Sequence, residues 1–198
     1  MDIVISTERV DVQECDLLVT GFFQDERPLK GSSGWIDWRL NGTVSRFLIE
    51  KRLTGHWPET LLIPSQGRIR APMILLFGLG KVREYSYLRL REIFPDLLGT
   101  IKKLKASTIC FSFPCEERYG VDCGKLVEVL IEGIADCLDQ DRYSFDPVWV
   151  KGLSLFFAEG AERFPEILWG VKTAQSILDE RLKIRIFTPS ENASQDTI

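Results

Sequence analysis

The stretch Met73-Ile74-Leu75-Leu76-Phe77-Gly78-Leu79-Gly80-Lys81 reads as a strand that runs straight into a glycine turn. Its five leading apolar residues leave no polar face for water, the signature of a strand buried on both sides of a sheet. Working outward, similar β-rich runs stand at Thr60–Pro64 and Asp16–Phe23 before it, and at Thr108–Phe113 after it. Asp2–Thr7, Val150–Phe157 and Leu182–Phe187 complete the expected strands. Segments with apolar residues at helical spacing fill the gaps. The alternation predicts an α/β layered domain, with helices on a largely parallel sheet.

Four helical segments are expected. The first spans about Ser33 to Leu53, with Leu40, Val44, Phe47 and Leu48 on one face, and Asn41-Gly42 interrupts it at a cost in propensity. The second runs from a Ser86 cap to Lys105, with a kink or break near Phe94 because Pro95 follows. The third begins at Asp122, a good N-cap, and carries Leu126, Leu130, Ile134 and Leu138. The fourth starts near Pro165 and presents Leu168, Val171, Gln175 and Leu178. A single domain over 1–188 with a polar, frayed tail at 189–198 is the expected organisation.

Composition narrows the function classes. Hydrophobic residues make up 44% of the 198 and charged residues 27%, which is an ordinary globular balance. A net charge of -4 disfavours nucleic acid and membrane surfaces as partners, since no basic field covers the molecule. Five cysteines without a CxxC, and a start without a basic-then-apolar signal, point to free thiols in the cytoplasm. No apolar run approaches the ~20 residues of a membrane span.

Enzyme chemistry is sparse. The single histidine, His56, sits among turn residues in Thr54-Gly55-His56-Trp57-Pro58, and HExxH is absent. Glu116-Glu117 and Asp139/Asp141 read as solvated charges rather than acid–base pairs. Cys115 has no partner base visible in sequence. Two glycine loops follow strands. Gly31-Ser32-Ser33-Gly34 opens the first helix, where free N–H groups could hold an anion. Gly78, Gly80 and Lys81 form the second, and neither loop completes a nucleotide fingerprint. Both also fit plain tight turns that use glycine's freedom at positive φ. Trp35 and Trp38, three apart, fit either a core face or a partly exposed interface patch. Arg68, Arg70, Arg83, Arg89 and Arg91 read as solvated surface.

The order of the pieces carries more than any one of them. Asp16-Leu17-Leu18-Val19-Thr20-Gly21 opens a strand, and a helix ends near Lys51-Arg52-Leu53-Thr54-Gly55. Glu59–Pro64, Ile74–Lys81, Glu128–Gly133, Asp141-Arg142-Tyr143 and Gly170–Gln175 follow in turn. This series resembles the N-terminal domain of the leucyl (cytosol) aminopeptidase family, from the first strand to about Leu178. The resemblance implies a macrodomain-like fold: three layers, α/β/α, with a mixed, largely parallel sheet between the helices. In that family the domain precedes a catalytic domain with two metal ions, lies at the periphery of a hexamer, and in some members makes regulatory contacts, DNA included. The catalytic half has no counterpart in these residues, so peptidase activity, catalytic residues, metal and cofactor are not expected.

Macrodomains proper bind ADP-ribose, and the resemblance locates their ligand-facing positions here. The adenine-reading acid corresponds to Arg9, of opposite charge; the ribose-facing segment corresponds to Thr20-Gly21-Phe22-Phe23; the second phosphate loop corresponds to 114–120, which brings in Glu116 and Glu117. Carboxylates repel a pyrophosphate by about 1 kcal/mol per close pair even in water, which disfavours ADP-ribose. The leading expectation is a non-catalytic binding or assembly module, with a protein partner or self-association through Trp35 and Trp38. The alternative is a phosphate, nucleotide or ADP-ribose-like ligand at the strand ends, held by Gly31–Gly34, Gly78, Gly80 and Lys81. An enzyme using Cys115 or His56 in that cleft is the third.

Overall fold

The computed structural model of the chain describes residues 1–139 and 145–189. Asp141, the Asp141-Arg142-Tyr143 segment and the tail from Ser190 onward lie outside the described residues.

Seven strands form one sheet: β1 (Asp2–Ser6), β2 (Leu17–Phe22), β3 (Thr60–Pro64), β4 (Met73–Gly78), β5 (Thr108–Ser112), β6 (Ser154–Ala158) and β7 (Arg185–Phe187), in the order β3-β4-β2-β5-β6-β1-β7. Every neighbouring pair is parallel except β3–β4. All six residues of β2 are buried, as are the last five of β4, because helices cover both faces. The sheet is thus mixed and largely parallel, as the continuous apolar runs imply.

Side-chain alternation divides the core in two. Leu17, Val19, Leu75, Phe77, Ile109, Phe111, Leu155 and Phe157 face one way, toward α3 (Tyr87–Glu92), α4 (Phe94–Leu104), α5 (Cys123–Asp139) and α7 (Phe164–Leu178). Leu18, Phe22, Ile74, Leu76 and Cys110 face the other way, toward Ile36 and Leu40 of α1 (Gly31–Arg39) and Val44 of α2 (Thr43–Ile49).

Several expected boundaries shift for identifiable reasons. The expected first helix is two. Asn41 and Gly42 both take left-handed backbone, φ 54 and 71, and Asp37 of α1 accepts from Val44 and Ser45 N–H at 2.8 and 3.0 Å, capping α2. The second segment breaks at Ile93, with Pro95 in the first turn of α4, where no N–H is needed. Ser86 caps α3 and Asp122 accepts from Lys125 N–H at 2.7 Å. Val150 is not in a strand. It belongs to α6 (Pro147–Lys151), whose cap is Asp146, and β6 starts only at Ser154. Of Leu182–Phe187, only Arg185–Phe187 pairs as strand; Leu182 and Ile184 are buried beneath it.

Candidate functional site

Because β2, β5 and β6 run parallel, their C-terminal ends open together, and a cleft of about 500 Å³ lies there. Thr20 of β2, Ser112 of β5 and Glu159, directly after β6, line its floor. The first turn of α1 forms one wall, with Arg9 and Trp35 beside it; Phe113–Glu116 and Arg163 line the other side.

The α1 turn is built for an acceptor. Lys30, its N-cap, makes no side-chain cap bond, so the first-turn N–H groups lack that partner. Gly31 takes φ +54, and the Ser33 hydroxyl turns back to the Lys30 carbonyl at 2.9 Å. Ser112 donates to Ser32 Oγ, tying β5 to this turn. Thr20 is 1% exposed, and its Oγ1 is buried with no hydrogen-bond partner.

Charge around the cleft is balanced rather than basic. Three cationic side chains (Arg9, Lys30, Arg163) and four acidic ones (Asp11, Glu116, Glu159, Glu162) line it. Arg9 donates twice to the buried Asp11, at 3.0 and 2.9 Å, and its guanidinium lies 4.7 Å from the centre of the Trp35 ring. Arg39 reaches the same carboxylate at 3.3 Å. Glu159 is half-buried, and the loss of solvent around its carboxyl pushes it up to about 8, opposed by the nearby Ser112 hydroxyl and by Arg163. Cys115 Sγ stands 2.8 Å from Cys123 Sγ; that hydrogen bond, with burial, raises the Cys115 thiol far above its ordinary range. A thiol so held stays protonated and is a poor nucleophile.

The sequence-derived candidates divide. Gly31, Ser32, Ser33 and Trp35 line the cleft. Gly34 packs behind the turn, where a Cβ would meet the Leu29 carbonyl oxygen at 2.7 Å. The second glycine loop is not in the cleft lining. Gly78 presses on the Gly55–His56 backbone, and Gly80 donates to the Gly55 carbonyl at 2.9 Å while accepting from Gln24 at 2.8 Å. Lys81 precedes a 3-10 turn in the same region. His56 is there too, exposed, with Nδ1 2.7 Å from Thr54 Oγ1. Trp38 is 65% exposed beside Trp35. The arginines are dispersed: Arg70 pairs with Glu14, Arg89 with Glu84, and Arg91 with Glu132 and Asp136. Ser112, Glu159 and Arg163 escaped the residue-level reading, and Thr20 entered it only as part of the ribose-facing segment that the resemblance implied. The available signal was position alone, since Ser112 ends β5 and Glu159 directly follows β6. Among the described residues no group of three or more His, Cys, Asp or Glu could hold a metal ion, and no helix is long and apolar enough to cross a membrane.

Comparison with solved structures supplies fold likeness. A mutant of the Oceanobacillus iheyensis macrodomain superposes with TM-score 0.62 at 14% identity, covering 88% of this chain and 92% of that one. A mutant of tomato leucine aminopeptidase gives 0.57 at 16%, covering 90% of this chain and 37% of the enzyme. A Trypanosoma brucei macrodomain in complex with ADP gives 0.58 at 14%, over 85% and 67%. In sequence, the "probable cytosol aminopeptidase" of Cyanothece sp. is 32% identical over 144 residues, 72% of this chain and 28% of that protein. The chain spans less than a third of such relatives, 28–29% of the first three. The model of the cytosol aminopeptidase family's N-terminal domain matches residues 19–143. That match takes in most of β2 through the whole of α5 and well over half of the residues, so the chain belongs to the cytosol aminopeptidase family through its N-terminal domain.

Proposed function

We propose that the chain is a non-catalytic binding module whose cleft takes a small phosphate-containing molecule. The Thr20 hydroxyl carries this reading: it is buried in the cleft floor without a partner. An unmet buried hydroxyl costs about 1–3 kcal/mol, which a ligand oxygen would recover. The uncapped first turn of α1 offers N–H groups and the positive end of a helix dipole to the same space. The ADP bound by the Trypanosoma brucei macrodomain, a protein of the same fold, supports a phosphate ligand. Arg9 and Glu116 depart from a macrodomain pattern, so the proposal is a phosphate class and not ADP-ribose as such. The reading takes 1–188 as one domain. Its setting is the cytoplasm, where five free thiols persist.

Calorimetry with ADP-ribose, ADP and inorganic phosphate tests it. At least one should give heat, and Thr20→Val, which keeps the shape, should weaken that ligand by about fivefold or more. Silence from all three would sink the reading.

A second reading, protein binding or assembly, has its own observation. Trp35 and Trp38 are 47% and 65% exposed and meet edge to face at 6.0 Å. Large aromatic side chains left in water mark contact surfaces. Light scattering on size-exclusion fractions should find a wild-type oligomer that Trp38→Ala dissociates. A wild type that stays monomeric at high concentration would remove self-association.

A further inference from the structure

We propose that Glu159 sets which ligands the cleft admits: it meets an anionic group while its carboxyl is protonated and repels that group once ionised. The inference rests on the phosphate reading above and names the residue that regulates it. Glu159 follows β6 directly, and its backbone is fixed by an antiparallel bridge to Arg9. Its side chain therefore belongs to the same floor as Thr20 and Ser112, with the α1 turn adjacent. A phosphoryl oxygen at Ser32 would be a near neighbour of this carboxyl.

Arg163 is near enough to favour the ionised form, but no cation is committed to Glu159. Arg163, from the 3-10 turn after Glu159, is engaged by Glu166 at 3.0 and 3.2 Å. Arg9 is engaged by Asp11. Glu162 from that turn and Glu116 from the loop after β5 add negative charge; Arg118 covers Glu116 at 2.7 Å. Cys110 of β5, Cys115 beyond it and Tyr85 complete the surroundings; all three are pushed toward their neutral forms and bring no positive charge. Among the described residues no Lys or Arg is ion-paired with Glu159. Glu159 is half-buried, its carboxyl ringed by protein yet open to the cleft; crowding by protein without a committed cation favours the neutral acid, which agrees with a carboxyl raised to about 8. With Glu159 protonated, the three cationic and three remaining acidic side chains of the lining balance; with it ionised, the acids prevail. The neutral acid also supplies an O–H donor to an incoming oxygen, and the ion supplies only repulsion.

Two probes whose own charge is constant between pH 6.5 and 9.0 test this: ADP-ribose, whose pyrophosphate is esterified at both ends, and inorganic sulfate. For the wild type, affinity should fall about tenfold over that range. Glu159→Gln, neutral at every pH, should change by less than about twofold. In parallel, carbon-13 NMR of glutamate-labelled protein should find one side-chain carboxyl titrating near 8, missing from Glu159→Gln. Binding that ignores pH in the wild type, or a Glu159 signal titrating near 4–5, would overturn the inference while leaving the phosphate cleft standing. Failure of every anion to bind even at pH 6.5 would overturn the cleft reading, and this inference with it.

Discussion

Glu159 holds a proton in the folded protein that the unfolded chain gives up near the ordinary value of 4.5. Between 4.5 and about 8 the folded state thus binds one more proton than the unfolded state, so stability falls as pH rises through that window. The contribution is fully present below 4.5 and gone above about 8. Its size is a few kcal/mol, at about 1.4 kcal/mol per pKa unit. Glu159→Gln should remove this slope, so that urea midpoints of variant and wild type diverge steadily from pH 5 to 8. Parallel midpoints across that range would contradict the burial account. Such a residue is hard to find in sequence. Glu159 follows an apolar run and precedes Gly160, as many surface glutamates do. Thr20 came into view only through the macrodomain resemblance, since by itself a threonine inside a buried strand reads as core filler, and its missing partner is what sets it apart. The turn Gly31-Ser32-Ser33 was legible because an N-terminal helix turn needs only local chemistry. Gly78, Gly80 and Lys81 looked equivalent by the same local rule. What separates them is contact with Gln24 and Gly55, far away in the chain.

Elements show the same division between local and distant causes. The α5 stripe of Leu126, Leu130 and Ile134 is buried as its spacing implies. What lets α5 lie against α7 is a pair of glycines 46 positions apart, which no periodicity announces. A Cβ on Gly170 would stand 2.0 Å from the Gly124 carbonyl oxygen, and one on Gly124 would stand 2.5 Å from that of Glu166. The backbones touch, so neither glycine can carry a side chain without parting the helices. Gly170→Ala should gain up to about 1 kcal/mol in helix propensity and lose more to overpacking, for which about 1–3 kcal/mol is typical and backbone clashes exceed it. Net destabilisation of about 2 kcal/mol is expected from denaturant midpoints. Gly99→Ala in α4 is the opposite case, because a Cβ there meets nothing within 4 Å. It should stabilise by up to about 1 kcal/mol. Equal signs for the two substitutions would refute the close-approach argument. The other local misreadings have similar roots. Asp146 caps α6 with Pro147 in its first turn, but Val150 also abuts the apolar run that becomes β6 and so reads as its first residue.

At the scale of the whole molecule, the family match and the folding unit have different extents. The matched residues 19–143 hold most of β2, all of β3, β4 and β5, and the helices up to α5. The sheet does not close within them. β6 pairs with β5, β1 enters between β6 and β7, and α7 packs on α5, so the first strand is held by the last part of the chain. Asp2 accepts two bonds from Arg185 at 2.7 and 2.8 Å, and the Met1 ammonium donates to the Lys183 carbonyl at 3.0 Å. Cutting the chain to the matched residues would remove Ile3, Ile5, Leu155, Phe157, Ile167, Val171 and Leu178, each no more than 2% exposed. At about 1.5–3 kcal/mol apiece, their loss exceeds or consumes the ~5–15 kcal/mol that holds a typical domain together. It would also leave β5 as an open edge ready to pair with other chains. A fragment of residues 19–143 should therefore lack a cooperative thermal transition and aggregate, while residues 1–189 unfold in a single step. Circular dichroism melts of the two decide it, and a cooperative melt of the fragment would mean that the family-matched portion folds without the strands that complete the cleft. Glu159 lies outside that portion as well, so the fragment would have neither the cleft floor at β6 nor the carboxyl proposed to govern it.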